Sequence, residues 1–302
     1  MTDDDEIRTA RAKLNWVFGP GRPHVTRMVA EHGPVSAFDQ LTAETPAADE
    51  LRPELQDRRV CLREEAADAV AEAQTWCRVV TPEDPDWPEG IADIARAGGF
   101  SPVCLWALGP APLPQLASTV TVTGTTTATS YGMWTADDIA TGLTVAGRTV
   151  VSSGARGIDI TALQAAASCG RPVAILPCGL RHLYPAASIG VYDQLSTSGL
   201  LLTAWPPDAR PSARRVSANL SLLAAVSSGT VVVETPYNGA ALGTLRRAMR
   251  YGRVGMVVPG PVTSAVSAGC HRLLRTDPRV RAVTGPVDVL EDLAAAAATG
   301  GQ

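Results

Sequence analysis

From residue 119 onward the chain alternates short, unbroken runs of β-branched and other apolar residues with longer segments in which apolar positions recur every three or four places. The runs fall at residues 120–123, 149–151, 173–176, 200–203, 231–234 and 255–258, and the periodic segments among them at 135–146, 160–168, 216–226 and 242–251. A strand buried on both faces reads as a continuous apolar run, whereas a helix laid on a sheet shows one apolar stripe. The alternation predicts an α/β fold: a doubly wound, mostly parallel Rossmann-like sheet with helices on both faces. Ligands of such sheets gather at the carboxyl ends of the strands.

Upstream the pattern is different. Residues 7–43 are helical in period, interrupted by the turn Gly19-Pro20-Gly21-Arg22-Pro23 and by Gly33-Pro34, so three short helices are expected in a small SAM-like or helix-hairpin-helix module over residues 1–44. Such a module contacts nucleic acid or protein, or serves as a packing appendage, and the residues leave these open. Residues 45–116 read as a connecting region: a linker at 46–49, a charged and alanine-rich helix reaching residue 73, a short strand near 77–81, and a Pro/Trp-rich loop containing Pro85-Asp86-Trp87-Pro88. The core is expected over residues 117–293 and a flexible tail over 294–302.

Charge sharpens this division. Residues 1–117 hold 11 Arg/Lys against 20 Asp/Glu, a balance of −9, while residues 118–302 hold 15 against 10, a balance of +5. A mildly basic core fused to an acidic front end suits an anionic partner for the core. Lys13 is the sole lysine, and guanidinium is the better bidentate phosphate ligand. No run of eighteen apolar residues occurs, and Met1 to Glu6 are acidic where a signal peptide is basic and then apolar, so a cytoplasmic protein without a membrane partner is expected. The six cysteines are scattered, with neither a Cys-x-x-Cys pair nor clustered histidines, which predicts reduced thiols, no metal and no cofactor.

Four Gly/Ser/Thr-rich turns follow expected strands, where a doubly wound sheet offers backbone N–H groups to an anion. They are Gly124-Thr125-Thr126-Thr127; Ser152-Ser153-Gly154-Ala155-Arg156-Gly157-Ile158-Asp159; Asn238-Gly239-Ala240, which leads into a helix carrying Arg246, Arg247 and Arg250; and Pro259-Gly260-Pro261, followed by Ser267 to Arg272. Neither of the first two is a P-loop or a Gly-x-Gly-x-x-Gly turn. No Ser/His/Asp or Cys/His arrangement recurs at the loop ends, so a binding protein rather than an enzyme is expected.

These residues resemble the DNA processing protein A family (DprA, also called Smf), and actinobacterial members in particular, the chain looking like a divergent member of actinobacterial or actinobacteriophage origin. The likeness runs through Val122-Thr123-Gly124-Thr125 to Tyr131-Gly132, then residues 150–159, Gly179-Leu180 with Tyr184-Pro185, residues 230–234 and residues 252–274, and covers roughly residues 118–292. It implies binding of single-stranded DNA, loading of a RecA-type recombinase in DNA processing, recombination and natural transformation, and a homodimer. The residues carried over as DNA contacts are Gly124, Thr125, Thr126, Ser152, Ser153, Gly154, Arg156, Gly157, Asn219, Asn238 and Gly239, with Arg214 and Arg215 just before the helix that holds Asn219. Departures are visible at the same places. Thr126 stands where the family has arginine, Asn219-Leu220-Ser221 where it has Arg-Asn-Arg, Asn238-Gly239-Ala240 where it has Arg-Ser-Gly, and Leu163 where it has histidine; the winged helix that follows the core in many members is also expected to be missing. Fewer phosphate contacts imply weaker binding and a shallower salt slope. A nucleotide-metabolite-binding domain, or a divergent interaction protein that no longer binds DNA, would keep the same glycine turns. Stacking aromatics would favour polymer binding, the candidates being Tyr131, Tyr184, Trp205 and Tyr237.

Overall fold

The computed structural model describes residues 3–42, 62–99 and 101–300. Four acidic residues open the first helix, α1 (Asp3–Phe18), where the helix dipole favours negative charge. The second, α2 (Pro23–Thr42), is broken at Gly33, whose φ of 75° and ψ of 163° turn the chain out of the helix just before Pro34. The three-helix expectation therefore holds at the front end. Helix α3 (Leu62–Ala73) is the described part of the expected charged helix; the linker at 46–49 and the start of that helix lie outside the described residues. Leu14, Phe18, Val25, Phe38 and Leu41 give this module its own small core.

Nine strands among the described residues form one sheet in the order β1-β2-β6-β5-β4-β3-β7-β8-β9. Their ranges are β1 (Arg78–Val80), β2 (Leu105–Leu108), β3 (Thr119–Thr123), β4 (Thr149–Ser152), β5 (Val173–Ile175), β6 (Leu200–Thr203), β7 (Gly229–Val232), β8 (Val254–Val257) and β9 (Arg281–Ala282). The pairings from β6 to β9 are parallel, while β1 and β2 add an antiparallel edge to β6. Between and after the strands lie α4 (Ala92–Arg96), α5 (Ser130–Val145), α6 (Ile158–Cys169), α7 (Ile189–Ser198), α8 (Ala213–Ala225), α9 (Ala241–Arg250), α10 (Ala268–Thr276) and α11 (Pro286–Gly300). The α/β, doubly wound reading is correct, and its six strands match β3 to β8 to within a few residues. Strands β2 and β9 are the additions, and β2 is the instructive one. Its Leu-Trp-Ala-Leu run is short and set among glycines and prolines, so it reads as loop until β6 pairs with it and Trp106 is fully buried. Helix α11 runs on to Gly300, through positions expected to be tail.

The chain steps from β3 through β4 and β5 to β6 in one direction, then returns through α8 to lay β7 on the other side of β3. The loops after β3 and β7 thus leave on opposite sides, which places the switch point of the sheet between them. The helical module is bolted to the other end of the same strand-end edge. Asn15, fully buried, accepts a hydrogen bond from Trp106 Nε1 at 2.9 Å and donates one from Nδ2 to the carbonyl of Ala204 at 2.9 Å. Arg8 pairs with Asp84 at 2.6 Å and Arg11 with Glu83 at 2.5 Å. Cys77, Cys104, Cys178 and Cys270 are free and buried, and burial pushes the Cys178 thiol up to about 11 and the Cys270 thiol to about 12.

Candidate nucleic-acid interface

Asp159, in the first turn of α6, organises the loops after β3 and β4. It is 3% exposed, and four donors converge on its carboxylate. Thr123 Oγ1 and the Gly124 N–H donate to Oδ1 at 2.9 and 3.1 Å, while the Ser153 N–H at 3.3 Å and the Ser153 hydroxyl donate to Oδ2. Burial pushes the Asp159 carboxyl above the usual carboxylate range, and these donors pull it back. Gly157 makes the close approach of the two loops possible. Its φ is 77°, and a Cβ there would sit 2.4 Å from the Thr125 carbonyl oxygen. The next N–H, of Ile158, donates to that same carbonyl at 3.2 Å.

At the switch point itself Glu234, 1% exposed, accepts hydrogen bonds from the Thr129 N–H at 3.0 Å and the Thr129 hydroxyl at 2.7 Å. These bonds tie the loop after β7 to the residue that caps α5. Further along the edge the Tyr192 hydroxyl lies between the carbonyls of Gly154 at 3.0 Å and Tyr184 at 2.9 Å, and the Gly179 N–H donates to Ala209 at 2.8 Å. Successive loops from Gly124 to Ala209 are linked in this way.

This network divides the sequence-derived contacts. Thr126, Arg156 and Asn238 are exposed at the strand-end edge, with Gly124, Ser153, Gly157 and Gly239 half-buried beside them. Arg156 makes no hydrogen bond or ion pair among the described residues, whereas Asn238 Oδ1 accepts from Arg272 Nη1 at 3.4 Å and Arg272 lies 4.4 Å from the ring of the exposed Tyr237. Four candidates face inward instead. Ser152 is fully buried with its hydroxyl donating to the Val122 carbonyl at 2.6 Å. Thr125 is 7% exposed and its oxygen accepts from the Thr127 N–H at 3.2 Å within the turn. Gly154 is buried, its carbonyl taken by Tyr192 and by the Ser188 hydroxyl at 2.9 Å. Asn219, on the inner face of α8, donates from Nδ2 to the Ile175 carbonyl at 2.7 Å and anchors that helix to β5. Ser152, Thr125 and Asn219 are polar residues at buried positions satisfied by backbone partners, and Gly154 is satisfied by side-chain hydroxyls.

Arg214 and Arg215 belong to a second region, a cleft of about 1540 Å³ between the α1–α2 turn and the start of α8. Arg22, Arg210 and Arg247 line it as well, and Asp208 is its single carboxylate among the described lining residues. That carboxylate lies 3.6 Å from Arg181 Nε. The Arg215 guanidinium sits 4.9 Å from the Trp205 ring, and Arg22 Nε donates to the Phe18 carbonyl at 2.8 Å. Burial and the neighbouring charge of Arg214 lower the Arg22 pKa. Sequence reasoning missed Arg22 and Arg210 and set Arg247 with the Asn238 turn, because nothing local in the chain pairs a Gly-Pro turn at residue 20 with a helix 190 residues later. Among the described residues no group of His, Cys, Asp or Glu is arranged to hold a metal ion, and no helix is long and apolar enough to cross a membrane.

A doubly wound sheet with glycine-rich turns and arginines on its carboxyl edge defines a Rossmann-like protein. The family model of DNA recombination-mediator protein A matches residues 78–294. Over 296 residues the chain is 38% identical to the DNA processing protein DprA of Mycobacterium tuberculosis, covering 95% of this chain and 75% of that protein. The chain belongs to the DNA recombination-mediator protein A family, a family of DNA-processing proteins, as its motifs indicated. Its fold is that of DNA processing protein A from Streptococcus pneumoniae, with a TM-score of 0.72 at 21% identity over 96% of this chain and 98% of that one. The Helicobacter pylori protein, described for its single-stranded DNA binding mode, aligns with a TM-score of 0.63 at 23% identity over 72% of this chain and 96% of that one.

Proposed function

We propose that this chain binds single-stranded DNA along the carboxyl edge of its sheet, as a non-enzymatic cytoplasmic protein, and that as a homodimer it hands the strand to a RecA-type recombinase. The observation that carries the binding reading is the charge of that edge. The loops that leave β3 to β8 on that edge, residues 124–129, 153–157, 176–188, 204–212, 233–240 and 258–267, hold one exposed carboxylate, Asp208, beside Arg181. Glu234 is buried under Thr129. Arg156 and Arg210 stand exposed on the same loops, with Arg214 following at the start of α8. Loops stripped of negative charge and supplied with guanidinium suit a phosphate backbone. Family membership and the H. pylori relative direct the choice to single-stranded DNA, and the charge lost at Thr126 makes the loop contacts weak.

Fluorescence anisotropy with a labelled single strand, competed by duplex, tests the binding. The expected outcome is preference for the single strand and an affinity that falls as salt rises; no binding of any oligonucleotide at low salt would refute it. Recombinase loading is read separately, as faster RecA-type filament growth on strands coated with single-strand-binding protein. An unchanged rate would remove that part and leave the binding.

A further inference from the structure

We infer that the N-terminal helical module is one wall of the DNA site: a single strand runs through the cleft between the α1–α2 turn and α8, its phosphates held by arginines from both sides. The inference rests on the single-strand reading above and adds a path that the core loops do not supply. Arg22 comes from the module and Arg210, Arg214, Arg215 and Arg247 from the core, so five guanidiniums from two parts of the chain line one space with one carboxylate among the described residues. Like charges gathered beside a half-buried arginine cost free energy, and a polyanion in the cleft relieves that cost.

Size and lining narrow the ligand. At about 1540 Å³ the space exceeds the roughly 300–1,000 Å³ of small-molecule pockets. Trp16 and Trp205 sit among the arginines, half-buried, and an aromatic surface flanked by guanidinium offers bases a stacking platform that paired bases of a duplex cannot use. The wall does not depend on the ligand for its position, because Asn15 ties α1 to both Trp106 and Ala204, the residue just before Trp205.

The unaltered chain is tested first, by photocrosslinking to a halogenated single-stranded oligonucleotide and mapping the adducts by mass spectrometry. Adducts on both the segment 16–24 and the segment 205–218 are expected. In parallel, Arg210→Ala with Arg214→Ala, two exposed positions, weakens single-strand binding at least about tenfold and lowers the salt slope by about 1.4, at ~0.7 per phosphate, with an unchanged melting temperature. Adducts confined to residues 124–127 and 153–157, with the double variant binding like the parent, would overturn the cleft path while the single-strand reading stands. Equal affinity for duplex would overturn the stacking argument and with it the path. A parent chain that binds no oligonucleotide would defeat both.

Discussion

The loops after β3 and β4 and the arginine cleft lie on one edge of one sheet, yet they treat their polar groups in opposite ways. In the loops, Asp159, Ser153, Thr123, Thr125 and Glu234 direct their hydrogen bonds to one another and to backbone. In the cleft, Arg210 and Arg214 point exposed guanidiniums into solvent, and the one carboxylate is held by Arg181. The loops carry the recognisable motif and the cleft carries the charge. A motif of this kind is therefore first a device for shaping backbone. It fixes where N–H groups and glycines stand, and a ligand draws its electrostatic attraction from residues outside it.

The sharpest way to break that contrast is to remove the hub of the loops. Asp159→Asn puts an amide N–H₂ among four donors in a buried site, and it is expected to lower the unfolding free energy by about 3 kcal/mol, read by urea denaturation. A loss below about 0.5 kcal/mol, the size of an ordinary surface change, would mean the loops do not depend on it. The same variant yields a pH test. Because burial raises the Asp159 carboxyl in the fold, its stabilising contribution is complete below the ordinary carboxylate value and is lost as pH rises through the raised one. The stability advantage of the parent over Asp159→Asn should thus narrow from acid toward neutral pH, by about 1.4 kcal/mol for each pH unit crossed between those two values. A gap that widens instead would mean that the four donors outweigh burial.

Asn219 separates the two regions at smaller magnitude. The hydrogen bond that its side-chain amide donates to the Ile175 carbonyl is internal, so Asn219→Ala is expected to cost about 1–2 kcal/mol of stability, the penalty of an orphaned buried carbonyl, and to leave the salt slope of DNA binding unchanged. A lower slope at intact stability would return Asn219 to the interface.

These residues also mark what the sequence made legible. The strands β3 to β8 declared themselves through unbroken apolar runs, since a parallel strand covered on both faces has no polar alternation to hide it. Gly33-Pro34 and the glycines of the loops announced their bends. The direction of a polar side chain did not show: in the string Ser-Ala-Asn-Leu-Ser, nothing tells that Asn219 faces β5 while Ser217 and Ser221 line the cleft. Nor did the cleft itself, because Arg22 and Arg214 meet only after α1 docks through Asn15 on a strand, β2, that pairs out of sequence order. Long-range convergence is a property of topology, and one chain read alone carries no mark of it.

Arg156 gives the smallest and most discriminating effect. It is the one family-matched loop position that keeps both charge and exposure, and no partner among the described residues holds it in place. Its removal therefore costs the fold almost nothing: Arg156→Ala should shift the unfolding free energy by less than about 0.5 kcal/mol. If the loops touch the strand at a single phosphate there, the salt slope falls by about 0.7 and no further. A fall matching that of the cleft variants would place the two regions on an equal footing and erase the division drawn above. No fall at all would assign the phosphate contacts to the cleft and leave the glycine loops as the frame that holds the edge in shape.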